Sequence, residues 1–497
     1  MLTDRRALSK PERVAGAIAV VLAVLHQLLL PDSGTDLAAQ LARASFARAA
    51  PLTPVDLSWY GGVHPFGYSL LSPWVMALLG ARLAGAIAAV LGAVLLARLL
   101  RGLDRPVLAA SAGAFFAVAD VVSGRITFAL GAVALLAALL CRERRVPAAA
   151  FAVLTALLSP VAAAFLGLCA AVLVLHRRPG GWTLGVATTV PVLVLAWAFP
   201  GGGIQPFDLG SAVPGIVVAL GLAVLTTHPL VRTGAPLYAV AIVFFVSHAD
   251  AFGSNILRLA YLVAAPLLLA TCRRHRVVLV VALVGCLHWQ VDPLQGDVMA
   301  SAAPDLRGVT AELVALDSKR VEVVAPREHG ESVTVAERIP LARGWSRQTD
   351  YRDNRLFYRG RLTATAYVGW LHDHGVDHVA VPRHATLDFG STREGALLAH
   401  PVAGLTRVWQ DSDWTVYAVD AATPLAEPPA TVVSSTRTVL TVRAEDAVSV
   451  QVKVRWSRWL SVSGPGCVAR AGDEVELRFT AGGTVRLGSS LRPHGHC

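Results

Sequence analysis

The chain has 497 residues, of which 54% are hydrophobic and only 16% charged, and its mean hydropathy is +0.55. That balance excludes an ordinary soluble enzyme and leaves room for a helical membrane bundle plus a separate domain. The net charge of +10 is an arginine charge, since Lys10, Lys319 and Lys453 are the only lysines; with no basic patch interleaved with aromatics, nucleic acid is not an expected partner.

Apolar runs long enough to enter a bilayer dominate the first 291 residues. In chain order they lie near 13–30, 82–100, 106–122, 126–141, 147–159, 161–176, 182–199, 211–227, 235–247, 256–272 and 277–291, or about eleven spans. Several are short or carry a proline (Pro160, Pro191, Pro236, Pro266), and the pair around Ser159-Pro160 also reads as one tight hairpin. Arginine clusters at Arg5-Arg6 to Arg13, Arg98 to Arg105, Arg142 to Arg145, Arg177-Arg178, Arg232 and "CRRHR" (272–276) close alternate connections. The positive-inside rule assigns these to the cytoplasm together with the N-terminus. The remaining connections, 31–81, 123–128, 199–210 and 247–255, are then external, and an odd number of spans puts residues 292–497 outside as well. The first segment is expected to be retained, because no clean small-residue cleavage site follows it.

The first external connection, "PDSGTDLAAQLARASFARAAP" (31–51), places Asp32 and Asp36 just beyond a span. Leu37, Leu41, Ala44, and Ala47 or Arg48 then form a helical stripe, which predicts a helix lying in the membrane interface. "HPFGYSLLSPWVMALLG" (64–80) reads as a second interfacial piece, because a full crossing there would force the arginines of 98–105 outside.

An early acidic residue in an external loop, an interfacial helix opened by His64-Pro65 and an aromatic, and then "ARLAGAIAAVLGAVLLARLLRG" resemble the N-terminal module of the GT-C superfamily of polyprenyl-phosphate-sugar-dependent glycosyltransferases, over roughly residues 13–145. "SGRITFALG", "SNILRLAYLVAAPLL" and "LARGWSRQTDYRDNRLFYRGRLTATAYVGWL" are more closely similar to multi-spanning actinobacterial membrane proteins with an exported C-terminal domain. The GT-C resemblance implies a membrane glycosyltransferase of the cell envelope. Its donor would be a polyprenyl-phosphate sugar, and its acceptor an envelope glycan or glycolipid at the outer face of the bilayer. It also implies that Asp36 is the general base, with Asp56 and Asp32 as rivals, and that arginines at outer helix ends meet the donor phosphate. Arg125 in "SGRITF" and Arg258 in "SNILRL" stand at such ends, where a guanidinium suits phosphate bidentately. His64, His248 and Asn255 are further candidates for substrate contact. Asp36 equally suits a helix N-terminus, Arg125 and Arg258 suit headgroup anchors, and "SHADAFGSN" (247–255) suits a solvated loop. The loop lacks the Asp-Glu pair of some subfamilies; no cofactor motif is present, and participation of a divalent cation stays open.

After residue 291 the text turns globular. Residues 292–422 mix strand patterns such as "KRVEVVAP", "DHVAVP" and "WTVYAV" with the helix "TATAYVGWLHDHG", an α/β arrangement. Residues 423–497 alternate at period two with Gly-rich turns, which predicts a β-sandwich. The fold class expected is therefore an α-helical polytopic membrane protein, GT-C-like over 1–291, with an exported α/β plus β-sandwich domain. "LHDHGVDH" offers His372, His374 and His378, but a helix end, a Gly cap and a strand separate them, so zinc is not expected. Trp345, Trp370, Trp409, Trp456 and Trp459 divide between core packing and stacking on sugar rings. Cys467 and Cys497, the two cysteines of the exported part, suit a disulfide in an oxidising exterior. Transport or lipid flipping, and a non-catalytic scaffold, are the competing classes. No internal repeat supports a transporter, and no Walker or Rossmann glycine pattern points to ATP or a nucleotide sugar.

Overall fold

The computed structural model describes residues 8–30, 34–273, 276–298 and 303–497; Asp32 lies outside them. Two compact units emerge, Met1–Gln40 with Gly67–Ala300, and Leu41–Phe66 with Ser301–Cys497.

The first unit is helical, and each of the eleven apolar runs coincides with a helix. Among the described residues six helical segments are long and apolar enough to cross a membrane: Lys10–Leu29, Ala81–Leu100, Gly181–Ala198, Pro229–Ser247, Gly253–Thr271 and Arg276–Val298. Five more apolar helices run from 14 to 17 residues, Pro106–Val122, Ile126–Leu140, Arg145–Leu158, Pro160–Leu175 and Leu209–Leu225. The chain is a multi-pass membrane protein. Helix ends follow local chemistry. Pro106, Pro160 and Pro229 sit at first helical positions, where no amide hydrogen is needed. Ser159 separates two helices and its hydroxyl accepts from the Ala162 amide at 3.3 Å. Pro191, Pro236 and Pro266, by contrast, lie inside continuous helices.

Small side chains let these helices approach closely. Ala15 and Ala19 of the first helix pack with Ala88, Ala89, Ala93 and Ala97 of the Ala81–Leu100 helix and with Ala110 and Ala114 of the next. In lipid, where burial of apolar surface gives little advantage to helix contact, such close backbone packing is a main source of cohesion. A β-carbon on Gly131 would stand 2.5 Å from that of Ser159. Long apolar side chains point the other way, for example Val20, Val21, Leu28 and Leu29 of the first helix and Val277, Val280 and Val281 of the last.

The second unit carries two folded layers. Strands β1 (Val321–Val323), β2 (His378–Pro382), β3 (Leu405–Gln410) and β4 (Trp414–Val419) form one sheet in the order β1-β2-β4-β3. The β1/β2 pair is parallel and the others antiparallel. Helices including Arg307–Ala315 and Ala364–Asp373 cover it. The remaining strands are β5 (Thr431–Ser435), β6 (Leu440–Ala444), β7 (Ser449–Arg455), β8 (Leu460–Ser463), β9 (Gly466–Ala471), β10 (Glu474–Phe479) and β11 (Gly483–Ser489). They build sheets β7-β10-β9 and β5-β6-β11-β8, a sandwich whose core alternates as the sequence does, with Val450, Val452 and Val454 inward from β7. Cys467 and Cys497 are bonded. Trp370 and Trp414 are buried in the α/β core, whereas Trp456 and Trp459 are only partly covered against the sandwich core.

One segment departs from the sequence expectation. Residues 41–66, grouped with the membrane domain from hydropathy, belong to the second unit. Val55 and Leu57 enter the sandwich core, Trp59 and Tyr60 enter the α/β core, and the Tyr60 hydroxyl donates to the Gly344 carbonyl at 2.6 Å. The amphipathic helix is present as Leu37–Ala49, but Leu37, Ala44 and Ala47 of its stripe are buried in protein; beside the stripe, Ala42 joins the α/β core and Arg437 lies 5.0 Å over the Phe46 ring. A buried partner for an apolar stripe removes the reason to seek the bilayer surface. "HPFGYSLLSPWVMALLG" folds as two short helices, Pro65–Tyr68 and Ser72–Leu79.

Leu57 is 5% exposed and Leu52, in the same segment, 68%. Leu57→Ala should therefore lower stability by about 3 kcal/mol, while Leu52→Ala changes it by under about 0.5 kcal/mol. Thermal unfolding of the two full-length variants in detergent checks the difference.

Candidate active site

Three turns of the helical unit bring Asp36, Arg125 and Arg258 together. The Pro106–Val122 helix ends in a glycine reversal: the Gly124 amide donates to Val121 O at 2.9 Å, with Gly124 at φ +78°. Only glycine adopts that region without strain. The reversal puts Arg125 immediately ahead of the Ile126–Leu140 helix. Arg258 opens the Arg258–Thr271 helix after a 3₁₀ turn, Gly253–Leu257. Asp36 immediately precedes the Leu37–Ala49 helix.

The loops carrying Asp36 and Arg125 touch backbone to backbone. A β-carbon on Gly34 would fall 2.6 Å from Val122 O, and one on Gly124 would fall 2.4 Å from the Leu37 nitrogen. One helical turn after Asp36, Gln40 accepts a hydrogen bond from the Thr127 hydroxyl, and both side chains are buried. Glycine contact and buried hydrogen bond together fix the backbone of the Asp36 turn against the Arg125 turn.

Arg258 Nη2 donates to Asp36 Oδ2 at 2.7 Å, and Arg125 Nε approaches the same oxygen at 3.8 Å. Arg125 Nη1 also lies 3.7 Å from Asp120 Oδ1, and its guanidinium sits 5.8 Å over the Tyr261 ring. Both arginines stand at helix N-termini, where the macrodipole is already positive. Two guanidiniums and two positive helix ends create a strong preference for an anion, and Asp36 supplies it. Its Oδ2 atom faces both cations. Asp120, Arg125 and Tyr261 also line a recess completed by Ser123, Gln290 and Leu294.

Of the other sequence candidates, Asp56 and His64 fall in the second unit, and His248 and Asn255 in the first. Asp56 belongs to the second unit and serves a local turn, accepting from the Ser58 amide at 2.9 Å and hydroxyl at 2.5 Å; burial raises its carboxyl pKa despite those bonds. His64 is in the same unit and pairs Nε2 with Ser457 Oγ at 2.8 Å. His248 is exposed and stacks on Phe244 at 4.4 Å, so the structure does not bring it to Asp36. Asn255 is buried in the 3₁₀ turn leading to Arg258. His372, His374 and His378 take separate partners, Thr423, Trp370 and Ser318. Among the described residues no group of three or more His, Cys, Asp or Glu side chains is arranged to hold a metal ion.

Sequence reasoning missed Asp120, Gln40 and Tyr261. A carboxylate within an apolar run is itself a signal, and "FFAVADVVSG" displays one. Gln40 and Tyr261 carry no such mark.

A second charged cluster, also unforeseen, lies in the α/β layer. Arg343 donates to Glu322 at 2.7 Å and to Glu394, and the Tyr367 hydroxyl donates to Glu394 at 2.7 Å. Arg347 binds Asp388, while His329 lies 3.0 Å from Glu331 and 3.3 Å from Asp388. Burial works against the His329 imidazolium, but the Glu331 and Asp388 carboxylates outweigh it and hold its pKa up at about 9. A raised native pKa stabilises the fold fully below the ordinary value of 6.5 and loses that contribution as pH climbs to about 9. The thermal midpoint of the intact protein should fall across that window, and the fall should be smaller in His329→Gln.

By sequence, no protein family and no curated protein matches the chain. Among solved structures it is similar to the arabinofuranosyltransferase AftD from Mycobacteria, with 14% identity and a TM-score of 0.48 over 97% of this chain and 57% of that one. It is also similar to ArnT from Cupriavidus metallidurans, determined with undecaprenyl phosphate bound, with 15% identity and a TM-score of 0.38 over 83% of this chain and 99% of that one. The chain thus spans little more than half the length of AftD.

Proposed function

We propose that this chain is a membrane glycosyltransferase that moves a sugar from a polyprenyl-phosphate donor to an envelope glycan or glycolipid on the external face. The observation that carries the reading is the Asp36 carboxylate held by two guanidiniums at two helix N-termini, beside a recess. An acceptor hydroxyl is a weak nucleophile, and a carboxylate within hydrogen-bond reach takes its proton as the oxygen attacks the anomeric carbon. The bond from that carbon to the phosphate oxygen breaks and its electron pair leaves with the phosphate. Arg125, Arg258 and the helix dipoles offset the negative charge that collects there. The arginine-rich connections favour the cytoplasm, which puts Asp36, Arg125, Arg258 and the second unit outside, where a lipid-borne donor presents its reacting carbon just above the leaflet.

Asp56 and His64, held by Ser58 and Ser457, take no part in this reading. The reading invokes no metal.

Transfer from a panel of radiolabelled polyprenyl-phosphate sugars by the purified protein tests it. Asp36→Asn should reduce transfer by about a hundredfold or more, with Asp56→Asn close to wild type per folded molecule. Arg258→Ala should raise the donor KM and lower kcat. Full activity in Asp36→Asn would remove its assignment as base, and no transfer from any donor would turn the reading to transport or to a scaffold.

A further inference from the structure

Among the described residues, Asp36, Asp120, Arg125 and Arg258 bring together two negative and two positive charges. Within that group each guanidinium already faces a carboxylate, so an arriving phosphate competes for it. For the phosphate to be held, a carboxylate has to give up an arginine.

The surroundings decide which one yields. Asp120 is 7% exposed and lies within the Pro106–Val122 helix, where its side chain has little room to leave. The Asp36 side chain is 29% exposed and projects from a turn. Its backbone, however, is fixed by the Gly34 and Gly124 contacts and by the bond between Gln40 and Thr127. The Asp36 side chain can therefore swing by rotation about χ1 while the turn stays in place. Arg258 is the cation it would release, since their 2.7 Å hydrogen bond is the closest contact in the set.

We propose that Asp36 is a displaceable counter-ion: the phosphate of a polyprenyl-phosphate ligand takes Arg258 from it, and the freed carboxylate then becomes available to the acceptor hydroxyl. This inference rests on the glycosyltransferase reading above. One hydrogen bond, Arg258 to Asp36, is exchanged for one from Arg258 to a phosphate oxygen, and no covalent bond changes in that step. A guanidinium favours the exchange because it can meet two phosphate oxygens at once. The consequence is an order of binding. Without donor the carboxylate stays engaged with arginine, so the acceptor meets a competent base only after the donor has bound.

Binding of farnesyl phosphate to the full-length protein in nanodiscs, with farnesol as the reference for the chain alone, tests this without requiring turnover. Removing the competing carboxylate should tighten binding. Asp36→Asn is expected to bind farnesyl phosphate roughly tenfold more tightly than wild type, about the worth of one charge-assisted hydrogen bond. Asp36→Glu, which keeps the charge, should bind like wild type. Asp120→Asn should gain less than Asp36→Asn, because the ion pair of Asp120 is with Arg125, whereas Asp36 hydrogen-bonds Arg258 directly. Asp36→Ser replaces Asp36→Asn if the latter fails to fold. Affinity unchanged or weakened in Asp36→Asn overturns the exchange, and an equal gain in Asp36→Asn and Asp120→Asn overturns it too, since a general field effect then suffices. Farnesyl phosphate bound no better than farnesol by wild type and Asp36→Asn alike would instead sink the underlying polyprenyl-phosphate reading.

Discussion

The organising constraint of the helical unit is electrostatic. Two arginines begin two helices, placing positive charge where the backbone is already positive. Isolated, each would destabilise its helix start and carry a poorly compensated cation near the membrane. Asp36, brought from a loop more than eighty residues earlier than Arg125, relieves both at once. Both guanidiniums already face a carboxylate, the arrangement from which the proposed exchange with a competing anion starts.

Bringing Asp36 there is a matter of close packing. Gly34 and Gly124 remove the side chains that would hold two turns apart, and the latter supplies a positive φ that reverses the chain into Arg125. Alanine does comparable work along the first three long helices. In a bilayer these small residues gain what larger ones gain in water, dense contact between backbones, while the valines and leucines are left to face outward.

The second unit is held by different means. A conventional apolar core fills the sandwich, and a buried network around Arg343 ties Glu322 and Glu394 together within the α/β layer. Charges this well buried are tolerable only because each has a partner. The segment 41–66 links the two layers, inserting Val55 and Leu57 into one core and Trp59 and Tyr60 into the other.

Composition and hydropathy determined much by themselves. The eleven helical runs, the alternation of the sandwich strands and the pairing of Cys467 with Cys497 all depend on local pattern or on a short inventory. Asp36, Arg125 and Arg258 drew notice as candidates for a similar reason, since charges at the ends of apolar runs stand out against their neighbours. Tertiary structure alone decided that these three share one oxygen, because nothing local encodes the meeting of residues 36, 125 and 258. It also decided that Asp120 and Gln40 lie beside them, and that Asp56 and His64 pair with Ser58 and Ser457. The amphipathic stripe of Leu37–Ala49 shows the limit most directly: its period announces an apolar face, but a membrane and a protein core satisfy that face equally, and only the folded chain selects between them.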